Sequence, residues 1–435
     1  MTMSHSRGHH ARVFWGTPAL CRSTLQILLR KGGIQLFIRR ALQMITMTTK
    51  CSIIWTYPDN AKQIYFHIGE KEIVDLSTGE PTVNTNGICI PTLRQIFITA
   101  QLAGYEIVLP AGLDRRTFLY ALLLKYHPNL RLIWFHPKHL RFPFLLTEPI
   151  NRPHAFHADR TIFIHYDYRP DLELKSGHHV LPYSMHPQMY AIPDLSRHLS
   201  RLQRTDRRIR VLFAGGQRFH QMPTELFGKL RRSDIVEHLL NSDYVRAIND
   251  RKELDALLAG EYWNGMALLS PKFRIPQAEW LELLARTDFF LCPPGKFMPM
   301  CHNIIECMAV GTIPVTNYPE WFFPRLTSTR NCVAFSTLAD LDAAMARIAR
   351  YNSNQIGSMR EHVVSYYATH LALESVLERL MSNPQPEMHL HVLDETESSL
   401  HKMMSASKAR AGMTWETQWG RPACAPSEGE PRIQR

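Results

Sequence analysis

The chain has 435 residues, 45% of them apolar and 20% charged, with 21 glycines and 28 prolines. These proportions exclude wholesale disorder and a collagen-like or low-complexity architecture, and a chain this long implies about two to four domains. The formal charge of +11 looks like a nucleic-acid signal, but residues 1–50 hold eight of the 50 Lys and Arg and none of the 39 Asp and Glu, so the rest of the chain carries only +3. A basic groove is therefore not implied, and no nucleic-acid partner is expected.

Residues 1–46 read as a basic extension outside the fold. The stretch 24–44 mixes apolar residues with Arg30, Lys31, Arg39 and Arg40 and is interrupted at Gly32 and Gly33. A transit peptide or a basic membrane-surface helix has this pattern, which would give peripheral membrane contact. An upstream extension of a chain whose true start is Met44 or Met47 has it equally. The body is expected in the cytoplasm, membrane-associated only through this segment, because no run of about 18 apolar residues could cross a bilayer as a simple helix. The eight cysteines form no C-x-x-C pair, which favours reduced thiols in a core over a disulfide framework.

From residue 51 short apolar runs alternate with helical stretches. Strands are predicted at 52–55, 63–68, 105–109, 130–135 and 161–165, and helices at 92–103 and 115–126. That alternation predicts a first α/β domain over 47–195 with a parallel sheet covered on both faces. Residues 193–208 are polar and basic and lack a strand, so 196–208 is read as a linker. A second α/β unit over 209–381 follows: strand 209–214 ending at Gly215 and Gly216, helix 277–286, strand 289–292, helix 300–310, strand 312–316, helix 338–350 and one long helix over 361–380. Beyond Ser382 the periodicity fades, and 382–435 is expected to be a polar, partly disordered tail. The expected fold class is α/β, two doubly wound Rossmann-like domains facing a cleft, where such sheets bind ligands.

The most informative stretch is 288–315, DFFLCPPGKFMPMCHNIIECMAVGTIPV. A buried strand runs into a Pro-Pro-Gly loop, and an almost wholly apolar helix follows with one carboxylate, Glu306, inside it. A buried carboxylate is costly unless donors meet it. Two ribose hydroxyls are such donors, and His302 and Asn303 lie one turn earlier, where free N–H groups and the helix dipole favour a phosphate. The plain alternative is a structural carboxylate bound by a nearby Arg or backbone N–H.

This segment resembles the donor-binding region of GT-B glycosyltransferases, most of all the exostosin type, through Cys292, Pro294, Gly295, Glu306, Gly311, Ile313, Pro314 and Val315. The clear match covers about thirty residues, with weaker support over 210–380; the N-terminal half matches no named family. The resemblance implies a GT-B fold and a metal-independent transfer of a sugar from a nucleotide-sugar, a substrate rather than a cofactor, to a saccharide or glycolipid hydroxyl, as in polysaccharide biosynthesis. One departure is Asn303, where that family usually has Arg three residues before the acid; a cationic contact then falls to His302 or another basic residue.

A second candidate phosphate loop is 214–218, where Gly215 and Gly216 permit close backbone approach and Arg218 could clamp a diphosphate. An ordinary tight turn explains Gly-Gly as well. Lys272 and Arg274 are further candidates for the donor side, or simple surface cations. The acceptor side needs a base. Asp167 is the first choice and His165 the second, at the end of a strand; the loop 67–70 comes next, and Tyr183 and His186 are candidates for lining the cleft. Turn chemistry accounts for Asp167 too. Asp340 and Asp342 spell D-x-D, but helix capping explains them better than a metal-dependent site. His154 with His157, and His389 with His391, lack the context of a zinc site, and no metal is expected. The rival readings are a non-catalytic carbohydrate- or nucleotide-binding protein and a sugar-nucleotide epimerase.

Overall fold

The computed structural model describes residues 63–67, 106–110, 130–133, 141–147, 157–165, 167–216, 227–295 and 299–393. The chain divides into two compact units, Met1–Ile54 and Trp55–Arg435. The basic extension, the run at 52–55, the helices expected at 92–103 and 115–126, and His154 lie outside the described residues. Everything below belongs to the second unit.

Two parallel sheets define the fold, and the α/β class is as expected. The first has seven strands: β1 (Gln63–His67), β2 (Glu106–Pro110), β3 (Leu130–Ile133), β4 (Arg141–Thr147), β5 (His157–His165), β6 (His178–Leu181) and β13 (Glu387–Val392), in the order β3-β2-β1-β4-β5-β13-β6. The second contains β7 (Ile209–Phe213), β8 (Val245–Ile248), β9 (Trp263–Leu269), β10 (Thr287–Cys292), β11 (Ile313–Thr316) and β12 (Val333–Ala334), ordered β12-β11-β10-β7-β9-β8. All these pairings are parallel. β10 is buried along its whole length, as expected for a central strand covered on both faces.

The described helices are α1 (Leu195–Gln203), α2 (Arg232–Leu240), α3 (Arg251–Ala259), α4 (Gln277–Leu284), α5 (His302–Ala309), α6 (Leu338–Arg350), α7 (Ser353–Tyr366) and α8 (Leu373–Ser382). α5 buries Ile304, Ile305, Cys307, Met308 and Ala309, and so packs its apolar surface between β10, β11, α4 and α7. It ends at Gly311, whose φ of 76° only glycine adopts cheaply; this lets the N–H groups of Gly311 and Thr312 reach Met308 O and Cys307 O at 3.1 and 2.9 Å. The thiols of Cys292, Cys301, Cys307 and Cys332 are free.

Three expectations are corrected. The segment 196–208 is not a bare linker: it holds most of α1, where Leu199 and Leu202, three apart, bury one face, and Gln203 Nε2 donates to Ala309 O at 2.9 Å. The long helix expected at 361–380 is two helices, because the turn Tyr367–Leu371 widens to π geometry and Ala372 is extended. The tail from Ser382 contains β13, inserted between β5 and β6. Its alternation is legible in Met388, Leu390 and Val392, all buried, but histidines occupy the intervening positions and obscured it.

Candidate functional site

In parallel sheets the loops at the carboxyl ends of the strands form the ligand edge. In the second sheet β7 delivers Ala214, Gly215 and Gly216 to that edge, and β10 delivers Pro293, Pro294 and Gly295. Gly215, at φ 156°, occupies backbone that side chains rarely allow, and a Cβ there would stand 3.7 Å from Asn303 Nδ2 and 3.9 Å from Arg232 Nη1. Gly215 and Gly216 are exposed. Asn303 Nδ2 donates to Ala214 O at 3.5 Å, which joins the glycine turn to the first turn of α5. The N-cap of α5, Cys301, gives that turn no side-chain hydrogen bond, so its leading N–H groups and dipole face the same place.

Sequence reasoning missed Arg232. It sits at the start of α2 and is buried, and its guanidinium ties the two loops together: Nε donates to Pro294 O at 2.9 Å, Nη2 to Pro293 O at 3.3 Å and Nη1 to Gly216 O at 3.2 Å. A buried Arg must find such acceptors. No local motif marks it, because its partners lie 16 and more residues away.

Gly295 and His302 are placed at the site but in different roles from those expected. Gly295 N–H donates to Pro299 O at 3.0 Å, so the loop closes on itself. His302 Nδ1 bonds Ser184 O at 2.7 Å, and burial lowers its pKa despite that bond. His302 also tilts over Tyr183, with ring centres 4.9 Å apart, and meets His186 edge-on at 5.5 Å. Those residues follow β6, so the first sheet's ligand edge reaches directly onto the start of α5. Tyr168, after β5, closes the same junction by donating to Trp321 O at 3.1 Å.

Glu306 is 2% exposed. Its Oε1 accepts from His186 N at 2.9 Å and its Oε2 from Trp280 Nε1 at 2.5 Å. Burial pushes its pKa up and the two donors pull it partly back. The carboxylate expected to receive a ribose is met in this structure by one backbone N–H and one indole.

On the first sheet, Asp167 and His165 stand at the carboxyl end of β5. Asp167 is half exposed, and its Oδ1 accepts from His391 Nδ1 at 2.7 Å. Burial pushes its carboxyl up, but the His391 hydrogen bond, then the charges of His391, His165 and Arg169, outweigh that and hold it below the usual carboxylate range. His165 Nε2 pairs with His389 Nδ1 at 2.8 Å. Burial first, and the neighbouring imidazole His391 next, lower its pKa to about 4. The four imidazoles of His165, His178, His389 and His391 stack or tilt at centre distances of 4.5–5.1 Å. They do not converge on a point: among the described residues no group of three His, Cys, Asp or Glu is arranged to hold a metal.

Arg218 and residues 68–70 lie outside the described residues. Lys272 and Arg274 are exposed surface residues. Asp340 completes a capping box with Thr337 at α6, and Asp342 Oδ1 bonds His238 Nε2 at 2.8 Å, so D-x-D is helix chemistry. An open recess of about 890 Å³ runs over Pro193–Asp206 along α1 and is lined by no residue of α5. No described helix is long and apolar enough to cross a membrane.

No family model and no curated protein sequence matches the chain. Among solved structures it is similar to AviGT4, a glycosyltransferase involved in avilamycin A biosynthesis, at 12% identity over 74% of this chain and 98% of that one, TM-score 0.33. It is also similar to HepE of Anabaena in complex with UDP, at 9% identity over 73% and 98%, TM-score 0.37. A glycosyltransferase from Rickettsia africae is 9% identical over 81% and 99%, TM-score 0.35.

Proposed function

We propose that the chain is a glycosyltransferase of the GT-B type with an exostosin-like donor side, moving a sugar from a nucleotide-sugar to a hydroxyl of a saccharide or glycolipid. One observation carries the reading: the exposed Gly215–Gly216 turn, the uncapped first turn of α5 and the Arg232 guanidinium meet at one point of the second sheet's ligand edge. Backbone N–H groups, a helix N-terminus and a fixed cation are what a diphosphate needs. Asn303 lies where an Arg contact would be expected, and Arg232, which donates to Gly216 O, supplies a charge at the glycine turn.

In the reaction the open oxygen of Asp167 accepts the proton of the acceptor hydroxyl. The acceptor oxygen attacks the anomeric carbon, and the bond from that carbon to the diphosphate oxygen breaks. The nucleoside diphosphate leaves with its new charge facing α5 and Arg232. No step is assigned to a metal. For a ribose to reach Glu306, the segment 182–186 must shift and the His186 bond must open, so donor binding in this reading is coupled to movement at that junction.

A thermal-shift screen with UDP-, GDP- and ADP-sugars and CMP-sugars tests the reading. A ligand at 100 times its Kd stabilises by about 2.7 kcal/mol. One nucleotide class is expected to raise Tm, and Gly215→Val, which puts a branched side chain against Asn303 and Arg232, to abolish the rise. No shift with any of the four classes sinks it.

A further inference from the structure

The acid proposed as the base is held by a residue from the other end of the chain. β13 enters the first sheet between β5 and β6, with His391 in register with His165 and His389 with His178. His391 is 3% exposed. Its Nδ1 lies 2.7 Å from Asp167 Oδ1, and its Nε2 lies 2.8 Å from His178 Nδ1. Its ring stacks on both His165, at 4.8 Å, and His178, at 5.1 Å.

We propose that His391 is a positioning residue for Asp167, its tautomer set by that carboxylate, and that His178 anchors the outer nitrogen of His391, so that three segments form a relay Asp167–His391–His178. This rests on the reading of Asp167 as base. The hydrogen-bond inventory leaves one arrangement for neutral imidazoles. An ionised carboxylate only accepts, so His391 Nδ1 carries the proton and its Nε2 holds a lone pair. His178 must then donate from Nδ1, which leaves His178 Nε2 as the outer acceptor of the chain.

The consequence for Asp167 is orientation. A half-exposed carboxylate rotates freely about its χ2; a donor locked in the sheet fixes Oδ1 and leaves the second oxygen as the one presented to an acceptor hydroxyl. The donor also favours the ionised form. Because His391 lies in the C-terminal strand, that strand completes the candidate site as well as the sheet.

The full-length chain labelled with 15N-histidine and with 13C at the aspartate carboxyls provides the test by NMR, with Asp167→Asn identifying the Asp167 signal. In the wild type at neutral pH, His391 and His178 are both expected as Nδ1–H tautomers. His391→Leu should move the Asp167 titration to higher pH, and His391→Asn, whose side-chain amide reproduces the Nδ1 donor, should move it back. Should His391→Leu fail to fold, His178→Phe, on the half-buried edge strand, is the second probe: the proton should stay on His391 Nδ1 while the Nε2 resonance moves downfield, as for a lone pair that has lost its donor. The opposite tautomer in the wild type, an Asp167 titration unmoved in folded His391→Leu, or an unmoved His391 Nε2 resonance in His178→Phe overturns the relay. These readouts need no substrate. Unimpaired turnover of Asp167→Asn, on the nucleotide-sugar found in the thermal screen, would instead overturn the base assignment while the NMR result stood. If both hold, His391→Leu should lose at least tenfold in kcat with little change in donor KM, His391→Asn should recover part of it, and the acid limb of the pH profile should follow the Asp167 titration.

Discussion

Glu306 joins three pieces of chain: α5 on which it stands, α4 through Trp280, and the segment after β6 through His186 N–H. Either form of the acid can accept both bonds, whereas the amide in Glu306→Gln must turn its NH₂ toward one of two N–H donors. That leaves a buried donor without an acceptor, at a cost of about 1–3 kcal/mol. Urea unfolding at pH 7 without ligand should show that loss. An unchanged unfolding free energy, with weakened nucleotide binding, would restore Glu306 to a purely ribose-binding role. At this scale the sequence disclosed which residues were unusual but not what they touch. A lone carboxylate in an apolar helix announced that donors must exist, and Asn303 at the start of α5 lies beside the glycine turn after β7. Trp280 and Arg232 were invisible, and His186 and His391 were named without these contacts, because each meets its partner only after the sheets have folded together.

β13 carries the histidines that most reshape the sequence reading. One face of the strand, Met388, Leu390 and Val392, is buried; the other presents His389 and His391 to His165 on β5 and His178 on β6, with Asp167 after β5. Lys175 lies near His178 and Arg169 near Asp167, so the cluster has one acid against several groups that are or become cationic. Burial, then neighbouring imidazoles, lower the pKa of His165 to about 4 and that of His178 below its usual value. The sign follows directly: below the unfolded-state value of 6.5 the unfolded chain takes up protons that the folded chain does not. Stability is therefore full above pH 6.5 and falls as the pH drops toward about 4. Glu306, whose pKa is raised, contributes in the opposite sense, so the decisive comparison is between wild type and His165→Phe. The Tm of the variant should fall less steeply between pH 6.5 and 4; equal slopes would mean His165 is not charged on unfolding. Regular elements such as α6 and β10 were legible, the helix because its periodicity is clean and the strand because its run is short, apolar and bounded by turn residues. β13 was not, because its alternate positions hold residues that read as polar yet pack as stacked rings.

At the scale of the whole molecule, the two ends of the chain make opposite predictions. Met1–Ile54 forms a unit apart from Trp55–Arg435, and 1–43 lacks the α/β pattern. Removing 1–43 is expected to leave the unfolding transition in place. Ending the chain after Ser382 removes β13 from between β5 and β6. That truncation deletes Met388, Leu390 and Val392, exposed by 0%, 3% and 1%, each worth roughly 1.5–3 kcal/mol of burial. It also strips one of the two ladder partners of β5 and the partner of the edge strand β6, and uncovers Ile162, Ile164 and Leu181, now buried beside it. A loss of this size is comparable to the whole stability of an ordinary domain, about 5–15 kcal/mol. The second sheet keeps all six strands and its core, so the two truncations differ in kind. Calorimetry of the C-terminal truncation should show the first sheet's share of the unfolding enthalpy gone while a transition from the second sheet persists. Hydrogen exchange should show lost protection at 157–165 and 178–181 with 287–292 still protected. Full protection at 157–165 without β13 would mean that β5 and β6 pair with each other or stand alone, and that the C-terminal strand is an accessory to the sheet rather than one of its interior members.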